Sequence, residues 1–358
     1  MHTEASPGFW RACWANPVSA AVTVCLLLLL TPLLWALFDW GVWQAVWRPD
    51  LAACEAARGH GACWGVIAEK HRVILWGRYP YEEHWRPLLA SAVMVVLLAH
   101  TARPASWTRR LAAWWALAAL LTWVLMAGRL GPWALTHLGL PPVPTDQWGG
   151  LPLTLMLAIV SIALAFPLAI ALALGRRSSW PVLSSVCAGL IELVRGVPLV
   201  SVLFMASFML PMLLPAGHAP DVLLRVLGAL TLFLAAYLAE VVRGGLQGVP
   251  EGQRLAATAL GLSPWQTHRE VLLPQALMNS LPALVNHFIG LFKDTSLVTI
   301  VSLYELSGAL SLALSGDADW RPFKIEAYVF IALIYFAFCF SLSSYSQRWQ
   351  QRLSQRTT

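Results

Sequence analysis

GQRLAATALGLSPWQTHREVLLPQA, residues 252–276, lies between two apolar runs at 223–242 and 276–301. Alanine and leucine over 253–260 favour a short helix, and Gly261 suits the left-handed residue that ends one. A second helix begins at once. Ser263 can cap it, Pro264 fits its first turn, and Gln266 sits where a capping-box partner belongs. The expectation is two short helices meeting at a sharp corner.

The surroundings of this corner set the fold class. Hydrophobic residues make up 58% of the 358 and charged residues 12%, and the mean hydropathy is +0.64, whereas soluble domains hold about 45–50% apolar residues. Runs at 18–38, 87–102, 111–128, 151–175, 181–214, 223–242, 276–301 and 327–345 approach or exceed the roughly 20 residues that a helix needs to cross a bilayer core. The second is the shortest. None shows the strand alternation of a barrel. The reading is an all-α integral membrane protein with about eight transmembrane helices. The first run is too long for a signal-peptide core and lacks an A-x-A cleavage pattern, so it is expected to stay as an anchor.

Eight spans place both termini on one side. With the termini in the cytoplasm, the cytoplasmic segments collect Arg11, then Arg103, Arg109 and Arg110, then Arg176 and Arg177, then Arg243, Arg254 and Arg269, then Arg348, Arg352 and Arg356. Short outside loops hold only Arg129, Arg321 and Lys324, as the positive-inside rule expects. The net charge of +6 is thereby explained without nucleic acid. An outside loop at 39–86 carries Cys54 and Cys63, whose closeness in an oxidising compartment suggests a disulfide; a metal site is the alternative, with only His60 between them. The nine histidines show no metal-ligand spacing, and no Gly-rich phosphate loop is present. No metal and no cofactor are expected.

The 252–276 stretch resembles the EAA loop of bacterial ABC-transporter permeases. Ala256, Ala257, Gly261, Leu273 and Pro274 match that pattern, and Leu255 stands where the family has glutamate. The resemblance implies a coupling helix, about 247–275, that docks on a separate ATPase subunit through Gln253, Leu255, Ala256, Ala257, Gly261, Ser263 and Pro274. WGGL at 148–151 with Thr154, ELVRGVPL at 192–199, and Asn286 followed by KDTSL at 293–297 look like the polar amino-acid importers of the histidine and glutamine type. The segment before 148, with its Cys-bearing loop and WGRYPY at 76–81, is more specifically similar to the M-type membrane subunit of general L-amino-acid transporters.

These likenesses imply a five-helix type I importer permease core at 148–358 and a three-helix N-terminal extension at 1–147. They also imply translocation of L-amino acids across a bacterial inner membrane without covalent chemistry. The implied partners are a second related permease forming a heterodimer, two cytoplasmic ATPase subunits, a periplasmic amino-acid-binding protein and membrane lipid.

Charges inside spans need partners, since each costs about 2.5–3.5 kcal/mol at the centre of a membrane helix. Glu192 and Arg195 are three apart and can pair with each other, either as a structural ion pair or in a substrate role. Lys293 and Asp294 are adjacent, so their side chains diverge by about 100° and cannot fully satisfy each other. With Asn286, Thr295 and Ser296 they form a candidate substrate pathway; interhelical packing is the alternative. Glu240 and Arg243 read as an exposed boundary pair. A secondary transporter driven by ions is the rival reading, and it gives a cytoplasmic coupling loop no role.

Overall fold

The computed structural model describes residues 9–103, 106, 108–215 and 217–357; the side chains of Arg11, Arg109, Arg352 and Arg356 lie outside the described residues. Among the described residues, six helices are long and apolar enough to cross a membrane, or seven if one bent pair counts as a single span. The described residues fall into two compact units.

One unit comprises Met1–His71 and Asp317–Tyr328. Its first long helix, α1 (Pro17–Phe38), starts at Asn16, whose side chain accepts from Ser19 N at 2.7 Å. No α1 residue is buried by the rest of the chain. A helix apolar on every face suits a lipid surround. Helix α2 (Leu51–Ala57) is capped by Asp50, and α3 (Gly65–Trp76) follows. Cys54 and Cys63 are fully buried and joined by a disulfide with 5.3 Å between their Cα atoms. Glu326 accepts from Cys63 N at 2.9 Å, and Lys70 donates to Asp317 at 2.6 Å. That ammonium holds the Asp317 carboxyl below the usual carboxylate range.

The second unit comprises Arg72–Gly316 and Val329–Thr358, so residues 72–147 pack together with the region carrying the quoted motifs. Helices α4 (Trp85–Thr101) and α5 (Arg109–Ala127) lie side by side. The last turn of α5 presents carbonyls with no helical partner. Buried Arg86 donates to the carbonyl of Leu125 at 2.6 Å and to that of Pro141 at 2.8 Å, and Tyr79 donates to that of Met126 at 2.9 Å. Burial pushes the Tyr79 hydroxyl above its ordinary pKa. A two-strand hairpin follows, β1 (Arg129–Leu130) with β2 (Trp133–Ala134).

Helix α6 (Gly150–Arg176) begins against residues far away in sequence. Gly77 has φ +65°, and a Cβ placed on it would lie 2.6 Å from the Cα of Gly149. Gly150 N donates to Tyr304 O at 2.9 Å. Trp148, fully buried, donates its indole N–H to Val143 O at 3.2 Å.

The run read as one span over 181–214 is two helices, α7 (Pro181–Arg195) and α8 (Leu199–Leu213), bent by 103°. Pro198 explains the break, because it lacks an N–H and forces the preceding residue out of helical geometry. Helix α9 (Val222–Gln247) packs along α6 and forms the centre of the core, with Leu153, Leu157, Leu230, Leu234 and Leu238 all buried.

Beyond α9, α10 (Glu251–Ala259) is short as expected. Its successor is not: from Pro264 the chain runs helically through α11 (Pro264–Val301), 38 residues, straight into the next span. Pro274 would break an ordinary helix. Wider turns over Thr267–Leu272 remove the clash with the carbonyl four residues back and let the helix continue. Helix α12 (Leu306–Ser315) and the long α13 (Lys324–Thr357) complete the chain.

Candidate functional site

Phe233, Leu234 and Tyr237 of α9 face His287, Gly290, Leu291 and Asp294 of α11 across a pocket of about 250 Å³. The spacing 287, 290, 291, 294 is one helical face. Asp294 is half-buried in the pocket while adjacent Lys293 is exposed on another face, as the 100° step between neighbours requires. The Arg195 guanidinium lies 5.4 Å from the centre of the Tyr237 ring, a cation–π distance. Tyr237 also donates to the carbonyl of Arg195 at 3.4 Å, and its ring lies 5.7 Å from that of His287.

Of the pathway residues read from sequence, the pocket therefore gathers Asp294 directly and Arg195 through Tyr237. Thr295 is buried and donates to Phe292 O at 2.8 Å; Ser296 is half-buried and Asn286 exposed. Tyr237 and His287 escaped the sequence reading. The i, i+7 spacing of His287 and Asp294 was the available signal, but which face turns inward depends on α9.

Glu192 and Arg195 do not pair with each other. Glu192 accepts from Arg176 at 2.8 Å, and Arg195 approaches Glu240 at 3.9 Å. Glu240 is a hub: Arg176 reaches it at 2.9 Å and Arg243 at 2.8 Å. Its side chain is 15% exposed, so Glu240–Arg243 is no surface pair. The reason is rotational. Glu192, 65% exposed, points toward the C-terminal end of α6, where Arg176 already stands between the two carboxylates.

At the corner, Ser263 N donates to Gln266 Oε1 at 2.9 Å and Gln266 N donates to Ser263 Oγ at 3.3 Å, which closes the capping box. Gly261 has φ +77°, and Leu262 N donates back to Ala257 O at 3.1 Å. Ala257 is buried; Gln253, Leu255, Ala256, Gly261, Ser263 and Pro274 are exposed. Leu255, Leu260 and Trp265 thus present apolar surface beyond the spans, at 56%, 81% and 65% exposure.

A third polar centre was missed altogether. Glu305, fully buried, caps α12 by accepting from Ser307 N at 2.9 Å and Gly308 N at 3.0 Å. Tyr335 of α13 donates to its other oxygen at 2.7 Å. In the sequence Glu305 is one of four acidic residues between the apolar runs at 276–301 and 327–345, with no hint of its burial.

Long apolar helices, a charged pocket between two of them, and an exposed apolar corner beyond the spans define a multi-pass membrane transport permease. Residues 165–355 match the family described as binding-protein-dependent transport system inner membrane component, and the chain belongs to that family. It is 43% identical, over 95% of its length and 90% of the relative's, to the inner membrane amino-acid ABC transporter permease protein YhdY of Escherichia coli (strain K12). It is 36% identical, over 95% of its length and 92% of the relative's, to the glutamate/glutamine/aspartate/asparagine transport system permease protein BztC of Rhodobacter capsulatus. The probable glutamine ABC transporter permease protein GlnP of Bacillus subtilis is 36% identical over 57% of this chain and 92% of its own. Permeases of this class are ABC-importer components, which sets aside the ion-driven secondary transporter. Membership implies an ATPase partner and a substrate-binding protein.

Proposed function

We propose that this chain is one of two different permeases in an importer of L-amino acids, and that the pocket between α9 and α11 is its station on the substrate path. The observation that carries this reading is that Asp294 and Tyr237 line one pocket while the Arg195 guanidinium lies over the Tyr237 ring, so an anion for the ammonium group and a cation for the carboxylate of a zwitterion stand at the same site. Lone charges inside a membrane are otherwise costly. Asn286, Lys293 and Ser296, on neighbouring faces of α11, continue the path toward the second permease, and Thr295 holds the end of that segment.

The names of the relatives support amino acids as cargo, and their acidic and amide substrates favour polar ones. In this reading both termini are cytoplasmic, residues 39–86 lie outside, and the exposed corner of α10 docks on the ATPase. Residues 1–147 act as an extension to a core at 148–358. The chain itself performs no covalent chemistry and carries no cofactor.

The test is uptake of acidic, neutral and basic amino acids by Asp294→Asn and Lys293→Ala complexes, in membranes holding equal amounts of assembled transporter. Asp294→Asn should lose most uptake of all three, and Lys293→Ala should shift their ratio. Near-normal uptake of all three by Asp294→Asn would remove the pocket from the path.

A further inference from the structure

Glu305 lies just beyond α11, at the end opposite the coupling corner, on the order of 50 Å from it by helix rise. One carboxyl joins four elements. Oε1 accepts from Ser307 N and Gly308 N in the first turn of α12 and lies 3.4 Å from Thr299 Oγ1 in the last turns of α11. Oε2 accepts from Tyr335 of α13 and lies 3.3 Å from Thr154 Oγ1 of α6. Thr154 Oγ1 in turn accepts from Leu306 N at 3.0 Å. Among the described residues no cation pairs with Glu305, and Tyr335 is the titratable group that contacts it.

An amide in this position would bury no charge and could still accept from Ser307 N and Gly308 N, but its nitrogen could not accept from Tyr335 and Thr154. A buried carboxylate held by neutral donors is therefore poor evidence for stability and better evidence for a difference between two states. A physical route also leads from it to the pocket. The ring of Tyr335 lies 5.4 Å from that of Phe292, edge to face, and Phe292 sits between the pocket residues Leu291 and Asp294.

We propose that Glu305 is a positioning residue for transport: with Tyr335 and Thr154 it latches α6, α12 and α13 together at the end remote from the coupling corner, and the latch releases when the pathway opens there. Its effect on Asp294 rests on the pocket reading above; the latch itself does not. Weakening contacts made in only one state shifts the balance of states by their differential strength, and a hydrogen bond to a charged group is strong enough for a shift of roughly tenfold.

The experiment uses the complete transporter, reconstituted in vesicles with its ATPase, and compares wild type with Glu305→Gln and Tyr335→Phe. Uptake per assembled complex should fall about tenfold in Glu305→Gln, in line with that shift. ATP hydrolysis without binding protein should change at least threefold or so, while the thermal stability of the complex is kept or raised. Tyr335→Phe, which keeps the Phe292 contact, should move both activities in the same direction by less. Wild-type uptake and hydrolysis in both variants would overturn the proposal, as would a loss of uptake matched by a loss of thermal stability. If Glu305→Gln fails to assemble, the same readouts on Tyr335→Phe decide. Normal uptake by Asp294→Asn with defective Glu305→Gln would remove the pocket and leave the latch; the reverse pattern would remove the latch.

Discussion

Arg176 donates to Glu192 at 2.8 Å across sixteen residues of sequence, and the same guanidinium donates to Glu240 at 2.9 Å. The end of α6 is thereby fastened to α7 and α9 at once. Glu192 and Glu240 differ in exposure, 65% against 15%, and that difference ranks them.

Removing Glu240 leaves Arg176, Arg195 and Arg243 facing one another without their shared anion. Glu240→Ala should cost roughly 3 kcal/mol, in the range of a broken buried pair. Glu192→Ala, at an exposed site, should cost less than about 1 kcal/mol. Thermal unfolding of the purified complex checks the order; equal effects would mean that Glu240 is not the hub.

At the corner, Gly261 faces open space, so a side chain there meets only backbone strain at φ +77°. Gly261→Ala should cost about 1–2 kcal/mol locally, and Ser263→Ala about 1 kcal/mol through loss of the cap. If the corner docks on the ATPase, Gly261→Glu should reduce ATPase copurification and uptake while membrane insertion stays normal. Unchanged copurification and uptake would count against that role.

Gly77 shares a positive φ with Gly261 but lacks the space: a Cβ there meets backbone at 2.6 Å. Gly77→Ala should therefore destabilise by more than the roughly 1–2 kcal/mol of strain alone. Expression and thermal stability of the two alanine variants, measured side by side, test this. A milder effect at Gly77 would show that the 75–78 segment is free to move away from α6.

The Cys54–Cys63 bridge closes a loop with a sequence separation of 9, for which the chain-entropy relation gives about 2.6 kcal/mol. A membrane-impermeant thiol reagent should label neither cysteine of the intact protein and both after reduction. Rapid labelling without reductant would rule the bridge out.

Burial raises the pKa of Glu305 above its ordinary value of 4.5. The folded chain then holds that proton more tightly than the unfolded chain, so stability falls as pH rises from the unfolded value through the raised one. Glu305→Gln lacks this loss. Its thermal stability relative to wild type should increase as pH rises above about 4.5 and should level off above the raised pKa. A stability difference that stays flat with pH would mean that Glu305 does not titrate in this window.

Local chemistry is what the amino-acid sequence determined by itself. Apolar runs of bilayer length required helices, and the residues from Gln253 to Gln266 carried their own instructions for helix, left-handed stop and capping box, because each of those interactions closes within one turn. Even there, the continuation of α11 past Pro274 depended on wider turns that no single residue announces. Only the tertiary structure decided the partners of the charges. Spacing made Glu192 and Arg195 compatible, but the rotation of α7 against α6 and α9 gave each a different partner. The same is true of Asp294, turned into the pocket while Lys293 is not, and of Glu305, whose burial is the work of Thr154 and Tyr335, 151 and 30 residues away. A helix presents every face equally in sequence; which face is inside is set by the summed packing of its neighbours.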